Sequence, residues 1–298
     1  MNVLLLGATG YIGSAIDEAL SKRGHVVTGA ARSDAARATL AARGTKSVDA
    51  DAGKPETLAP AAHAADAVVY AVSVTDADPT TVDTAALRTL VQALRGAPKA
   101  LIYCSGVWYY GNTGATPATE ETPPSPPALV AKRPAVERIV LDAAAQGMRA
   151  VVIRPGTVYG RGIGIPAMLV NSARQSKVAQ IFGDGANHWA VVNVTDLGEL
   201  FALALERAAA GSIYNANDDS TPTLLEIAQA ASRGAGAGGA TAAMPRETVL
   251  ELLGPFGEAL MLDQRVTSAK ARRELGWAPT ATLLEDLERG SYVTTSGG

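Results

Sequence analysis

Residues 4–16 read "LLLGATGYIGSAI", and this stretch decides the fold. A short apolar run stops at Gly7, and a helical pattern takes over after Gly10. Gly7, Gly10 and Gly13 stand between them in G-x-x-G-x-x-G spacing. Glycines at such places permit a tight turn and let the backbone come close to a phosphate. A helix that starts there offers unpaired N–H groups and the positive end of its dipole. Strand, glycine turn and helix in that order predict a dinucleotide-binding turn. Gly7, Thr9, Gly10, Tyr11, Ile12 and Gly13 are then expected around a pyrophosphate.

Working outward, apolar runs of strand length alternate with amphipathic segments. "NVLLLG" (2–7) precedes "YIGSAIDEALSKRG" (11–24), and "VVTGAA" (26–31) precedes "DAARATLAARG" (34–44). "AVVYAV" (67–72) precedes "TVDTAALRTLVQALRG" (81–96). "ALIYCS" (100–105) leads through a Pro-rich loop to "PAVERIVLDAAAQG" (134–147), and "AVVIRP" (150–155) closes the series. Continuous apolar strands separated by helices imply a parallel sheet covered on both faces. Right-handed crossovers make it doubly wound, the α/β Rossmann arrangement. Gly24, Gly44, Gly96 and Gly147 fall where helices should stop.

Beyond Pro155 the alternation loosens. "PAMLVNSARQ" (166–175), "TDLGELFALALERAAAG" (195–211) and "TLLEIAQAAS" (223–232) read as helices; "AVVNV" (190–194) and "SIYNA" (212–216) read as strands. "RGAGAGGATAA" (233–243) reads as a flexible loop, and the tail supplies two short helices. The expected division is a dinucleotide-binding domain over 1–160, rejoined by 190–216. A smaller substrate-binding region covers 161–189 and 217–298.

The second strand ends "TGAARS" (28–33). NAD-binding chains place an acidic residue here for the ribose 2′-hydroxyl. This chain has Ala30 and Ala31, then Arg32. A guanidinium at that place suits a 2′-phosphate, so NADP(H) is the expected cofactor, with Arg37 a helper.

The chain has 298 residues, 47% hydrophobic and 18% charged, enough to bury a large core. Net charge is −3 with no basic cluster, which argues against nucleic acid and anionic membranes as partners. No signal peptide or membrane span is expected, and a single cysteine, Cys104, forms no internal disulfide. A cytoplasmic setting follows. Cys104 ends a strand-like run and reads as a small core residue. No metal site is expected from three His without paired Cys/His spacing.

The chain resembles the extended short-chain dehydrogenases/reductases, the NAD-dependent epimerase/dehydratase family, over nearly its whole length. "GATGYIG" (7–13), "VDADAGKPETL" (48–58), "DAVVYAVSV" (66–74), "IRPGTVYGRG" (153–162), "IFGDGANHWAVVNVTDL" (181–197) and "TSAKARRELGWAP" (267–279) carry the likeness in the family's order. The resemblance implies that Asp51 touches the adenine and that Ala71 and Val72 line the cofactor. It puts Pro155 in the turn beside the cofactor. It also implies a homodimer through the helices at 81–96 and 134–147.

The family's chemistry uses a Ser or Thr, a Tyr, and a Lys four residues after the Tyr. Against "CSGVWYYG" (104–111), the Ser place falls on Gly106, with Ser105 one residue early. Against "LVAKRPAVE" (129–137), anchored on Glu137, the Tyr place holds Leu129 and the Lys place holds Arg133. Leu129 transfers no proton; Arg133 can still hold a ribose hydroxyl but is a poor proton relay. Pro134 suits a first helical turn. Ser105 and Tyr109, with Arg133, are the catalytic candidates. Tyr110 is expected to pack inward.

Thr157 and Trp189 stand where family members acting on nucleotide sugars carry Asn and Arg. Trp108, Tyr109, Tyr159, His188 and Trp189 instead suggest a small apolar or aromatic substrate. The expected activity is NADPH-dependent reduction of a carbonyl, imine or enone with non-standard acid catalysis. Two alternatives stay open: a non-redox lyase, isomerase or cyclase on the same fold, and a non-catalytic NADP-binding regulator.

Overall fold

A computed structural model describes residues 1–73 and 78–293. Val74, the last residue of the stretch expected under the cofactor, and residues 294–298 of the expected substrate region lie outside the described residues.

The first half contains β1 Asn2–Leu6, α1 Tyr11–Lys22, β2 Val26–Ala31, α2 Asp34–Ala42, β3 Lys46–Asp49, α3 Leu58–Ala64, β4 Ala67–Tyr70, α4 Pro79–Leu94 and β5 Ala100–Cys104. Next come α5 Arg133–Ala145, β6 Arg149–Pro155, β7 Thr157–Gly160, β8 Ile163–Gly164, α6 Pro166–Ser176, β9 Ala179–Phe182 and β10 Val191–Asn193. The chain continues through α7 Val194–Arg207, β11 Ile213–Ala216, α8 Leu224–Gly234, β12 Thr241–Met244, α9 Arg246–Leu260, α10 Ala269–Leu275 and α11 Leu283–Arg289.

Seven parallel strands form the central sheet in the order β11-β6-β5-β4-β1-β2-β3. The order reverses between β1 and β4, so their carboxyl ends open the crevice where doubly wound sheets bind ligands. Strand alternation builds both cores: Val3 and Leu5 face one cluster with Ile16, Leu20, Phe201 and Trp277. Leu4 and Leu6 face the other, with Leu58, Leu87, Leu90, Val136 and Val140. This is the doubly wound fold read from the alternating pattern. Gly24, Gly44, Gly96 and Gly147 all take positive φ just past their helices.

A third core gathers Leu169, Val170, Ile181, Trp189, Leu224, Ile227, Leu283 and Leu287, from α6, α8, α11 and the strands beside them. Here the structure corrects the reading of 233–243 as a flexible loop. Thr241–Met244 is a strand, β12, paired in parallel with β9. Small residues let it lie against α8, and backbone pairing supplies what the side chains lack. The strand β3 and the helix α9 also escaped the pattern. α9 is broken at Gly254 (φ 52°) and contains Pro255, so its apolar period is interrupted. Among the described residues no helix is long and apolar enough to cross a membrane.

Candidate active site

The glycine turn sits where the reading of residues 4–16 requires. Gly7 (φ +85°) packs against the end of β4: a Cβ on it would lie 2.1 Å from the Ala71 carbonyl oxygen. A Cβ on Gly13 would lie 2.0 Å from the Gly7 carbonyl oxygen. These two glycines close the turn on itself. Gly10 differs: the Gly7 carbonyl oxygen, 3.1 Å away, is its single neighbour within 4 Å. Its outer face is open. Gly10 is also the N-cap of α1, with no side-chain cap on the first-turn N–H groups. An open glycine, uncapped N–H groups and the helix dipole fit a pyrophosphate. The side chain of Tyr11 turns away from this cradle and donates to the Gly160 carbonyl at 2.9 Å.

At the end of β2, Ala31 is buried and Arg32 is exposed. Arg37 is held by Asp34 and Asp49. Ser33 caps α2 by accepting from the Ala36 N–H. Asp51 bends its carboxylate back onto the Gly53 N–H at 2.9 Å.

The second half of the site lies at the ends of β5 and β6. α5 starts at Arg133 with Pro134 in its first turn. Nη1 of Arg133 lies 3.1 Å from the point a Cβ on Gly106 would occupy, and the Pro155 carbonyl oxygen 3.7 Å from that point. Gly106, Arg133 and Pro155 therefore converge. One turn along α5, Glu137 is buried at 1% exposure against Arg154, also 1% exposed. Arg154 donates to both Glu137 carboxylate oxygens, through Nε at 3.1 and 3.2 Å and through Nη2 at 2.6 Å. Its Nη1 donates to the Tyr110 hydroxyl at 2.7 Å, and that hydroxyl donates to Asn215 at 2.7 Å. Against the opposing effect of burial, Glu137 drives the guanidinium further above its ordinary pKa.

This network decides where the aromatic loop residues go. The Ser105 hydroxyl donates to Glu137. The Tyr109 ring lies under the Arg154 guanidinium, 3.7 Å from ring centroid to guanidinium carbon. Tyr110 packs inward, and burial pushes its hydroxyl up to about 12. Burial likewise pushes the Cys104 thiol up to about 12. Gln264 pins the loop by donating to the Val107 and Gly111 carbonyls at 2.8 and 2.9 Å. Leu129 is 44% exposed and reaches no proton-transfer partner by its chemistry.

The expected substrate residues divide. Trp108 is half-buried, its ring 6.1 Å from that of Phe256 on α9. Tyr159 and Trp189 lie in the third core instead. The Trp189 indole donates to the Leu260 carbonyl at 3.0 Å, and the Tyr159 hydroxyl points to Asp218 at 3.4 Å. His188 contacts Asp263 at 2.9 Å and Arg265 at 2.8 Å through Nδ1. Sequence reading missed Arg154 as the hub; its signal was a charge inside the apolar run "AVVIRP". Asp83 was also missed. It accepts from the Tyr70 hydroxyl at 2.7 Å, and burial raises its pKa while the nearby Arg133 charge opposes the rise.

A family model described as "NAD dependent epimerase/dehydratase family" matches residues 3–216. An uncharacterized protein of Schizosaccharomyces pombe is 31% identical over 98% of this chain and 100% of its own. A 3-diazoavenalumate denitrifying reductase of Streptomyces sp. is 30% identical over 94% of this chain and 96% of its own. The crystal structure of UDP-glucuronic acid 4-epimerase from Bacillus cereus, in complex with UDP-glucuronic acid and NAD, superposes with a TM-score of 0.81. It covers 98% of this chain and 99% of that one at 20% identity, which is a likeness of fold.

Proposed function

Because the chain belongs to the NAD-dependent epimerase/dehydratase family, we propose that it is an NADPH-dependent reductase of a small apolar or aromatic carbonyl, imine or enone. The observation that carries this reading is the convergence of Gly106, Arg133 and Pro155 at the strand ends, while Leu129, on the loop before α5, stands where the resemblance puts the family's acid. NADPH supplies a hydride when bound. The glycine turn and the start of α1 would hold its pyrophosphate, and Arg32 its 2′-phosphate. Asp51 would meet the adenine; Ala71, Val72 and Pro155 would line the cofactor. Arg133 would hold a ribose hydroxyl and donate to an acceptor oxygen.

The geometry supports Arg133 over Ser105 and Tyr109 as the donor to substrate. The Ser105 proton already goes to Glu137, and stacking under Arg154 fixes the orientation of the Tyr109 ring. A fixed cation stabilises developing negative charge without giving up a proton. That favours an electrophile that needs little protonation. Trp108 would contribute apolar contact. The reading includes a homodimer through α4 and α5 and a cytoplasmic setting.

Calorimetric titration with NADPH and NADH tests the cofactor assignment, followed by NADPH consumption with aromatic carbonyls, imines and enones. NADPH should bind more tightly than NADH. Failure of both nucleotides to bind sinks the redox reading.

A further inference from the structure

In extended backbone at φ 175°, Gly106 can carry any side chain without strain. What crowds one is Arg133. A Cβ there would come within 3.1 Å of Nη1 and 3.9 Å of the guanidinium carbon. The guanidinium therefore borders the side-chain space of residue 106. The residue before it, Ser105, points its hydroxyl into the buried Glu137–Arg154 pair. The start of α5 thus sets a cation beside the end of β5.

Resting on the function proposed above, we propose that the missing side chain at Gly106 admits Arg133 as a permanent cation for the acceptor's oxygen. The substrate class this selects is the α,β-unsaturated carbonyl. A guanidinium does not release a proton near neutral pH, so the oxygen it binds must tolerate remaining an anion. The oxygen of an isolated ketone becomes an alkoxide on hydride addition, with its charge on one atom. An enone spreads the same charge over oxygen and the α-carbon. Bound reduced nicotinamide would supply a hydride to the β-carbon, forming a C–H bond there. The C=C π pair moves to give an enolate, whose oxygen pairs with Arg133. Water then protonates the α-carbon, giving the saturated carbonyl, oxidised nicotinamide and hydroxide.

Two measurements test this. The first needs no turnover: calorimetric binding of cinnamate, a conjugated aryl oxyanion, and of cinnamyl alcohol, its neutral counterpart. Wild type should bind cinnamate at least about tenfold more tightly than Arg133→Met or Gly106→Ser, the size of a lost charge-assisted contact. Cinnamyl alcohol should change far less. Gly106→Ser should fold normally, because it displaces only the tip of a flexible side chain. Arg133→Lys, which keeps the charge, should restore part of the cinnamate affinity. Cinnamate affinity unchanged in Arg133→Met overturns the role of Arg133.

The second measurement is product analysis with NADPH and benzylideneacetone. Benzylacetone should form, with solvent deuterium at its α-carbon, and benzylacetone itself should be reduced at least about tenfold more slowly. Formation of the allylic alcohol, or no reaction by a wild type that binds NADPH, overturns the substrate class while leaving the cofactor assignment standing. A wild type that binds no NADPH overturns the proposed function, and the cinnamate titration still reads Arg133.

Discussion

Replacing Glu137 by Ala should destabilise the protein by about 4 kcal/mol. The partner left behind is Arg154, whose side chain is 2% exposed and keeps its charge at any accessible pH. Breaking a buried pair from one side costs about 3–5 kcal/mol, because a desolvated charge remains. The orphaned Ser105 hydroxyl adds roughly 1 kcal/mol at the low end of that sum. A folded domain has only about 5–15 kcal/mol in hand, so the variant should fold but marginally. An unfolding entropy of about 2.1 cal/mol/K per residue predicts a fall in Tm of about 6 °C for a chain this size. Equilibrium urea unfolding reads the free energy and a thermal melt the shift. Glu137→Gln, which keeps one acceptor oxygen, should lose about half as much. Glu137→Leu with Arg154→Met removes both charges and should recover to within about 2 kcal/mol of wild type. A loss below about 1 kcal/mol in Glu137→Ala would falsify the premise that this pair anchors α5 to β6. So would a double variant no better than the single one.

Arg32→Ala should weaken NADPH by about 1–3 kcal/mol while NADH changes little, read by calorimetry; equal weakening of both refutes the 2′-phosphate contact. Gly10→Val should melt like wild type, since a side chain there meets one carbonyl oxygen at 3.1 Å, yet lose nucleotide-induced stabilisation. Gly13→Ala should be the opposite kind of variant, destabilised by about 1–3 kcal/mol without ligand, because its Cβ overlaps the Gly7 carbonyl at 2.0 Å. The Cys104 thiol, raised by burial to about 12, should resist iodoacetamide at neutral pH until the chain is unfolded. Because its folded pKa lies above the unfolded value, its stabilising contribution is complete below the ordinary thiol range. It falls as pH rises from there toward about 12, so urea midpoints should drop across that alkaline window; rapid labelling of the native protein counts against the burial.

The sheet was legible because burial on both faces leaves a plain record: runs such as "LLL" and "AVVY" with helices between them. Strands that lack that double burial were not. β3 is exposed or half-exposed along its whole length at the sheet edge, so "KSVD" carries no apolar signature. β12 is made of Thr, Ala and Met, and its pairing with β9 is a backbone matter to which side-chain type is mute. α9 hides behind Gly254 and Pro255, which read as breakers and do kink it, with helical segments on either side. Aromatic residues misled in the same way. Trp189 and Tyr159 carry the chemistry of a stacking surface, but the third core needed their volume, and only neighbours distant in sequence decide between those uses.

At the reacting end, the register of β5 settles more than residue type could. Strand side chains alternate, so Tyr103 and Ser105 share the face covered by α4 and α5, and that face holds Glu137. A hydroxyl at 105 and a side chain at 106 would fall on opposite sides of the pleat, and the Ser105 hydroxyl closes a buried network. Gly106 then contributes no side chain, and the Arg133 guanidinium reaches to 3.1 Å from its Cβ point out of the first turn of α5. Leu129 lies outside this arrangement, exposed on the loop before the helix. Counted singly, the three departures look like three losses from an acid-catalysis triad. On the proposal above, two of them form one exchange, with the guanidinium set beside the glycine, and the third removes the acid that such a cation would make less necessary. We read the site as rebuilt around charge and not around proton transfer, which is why its chemistry should follow the delocalisation of the acceptor's oxyanion and stay nearly flat with pH across the range where a tyrosine–lysine pair would titrate.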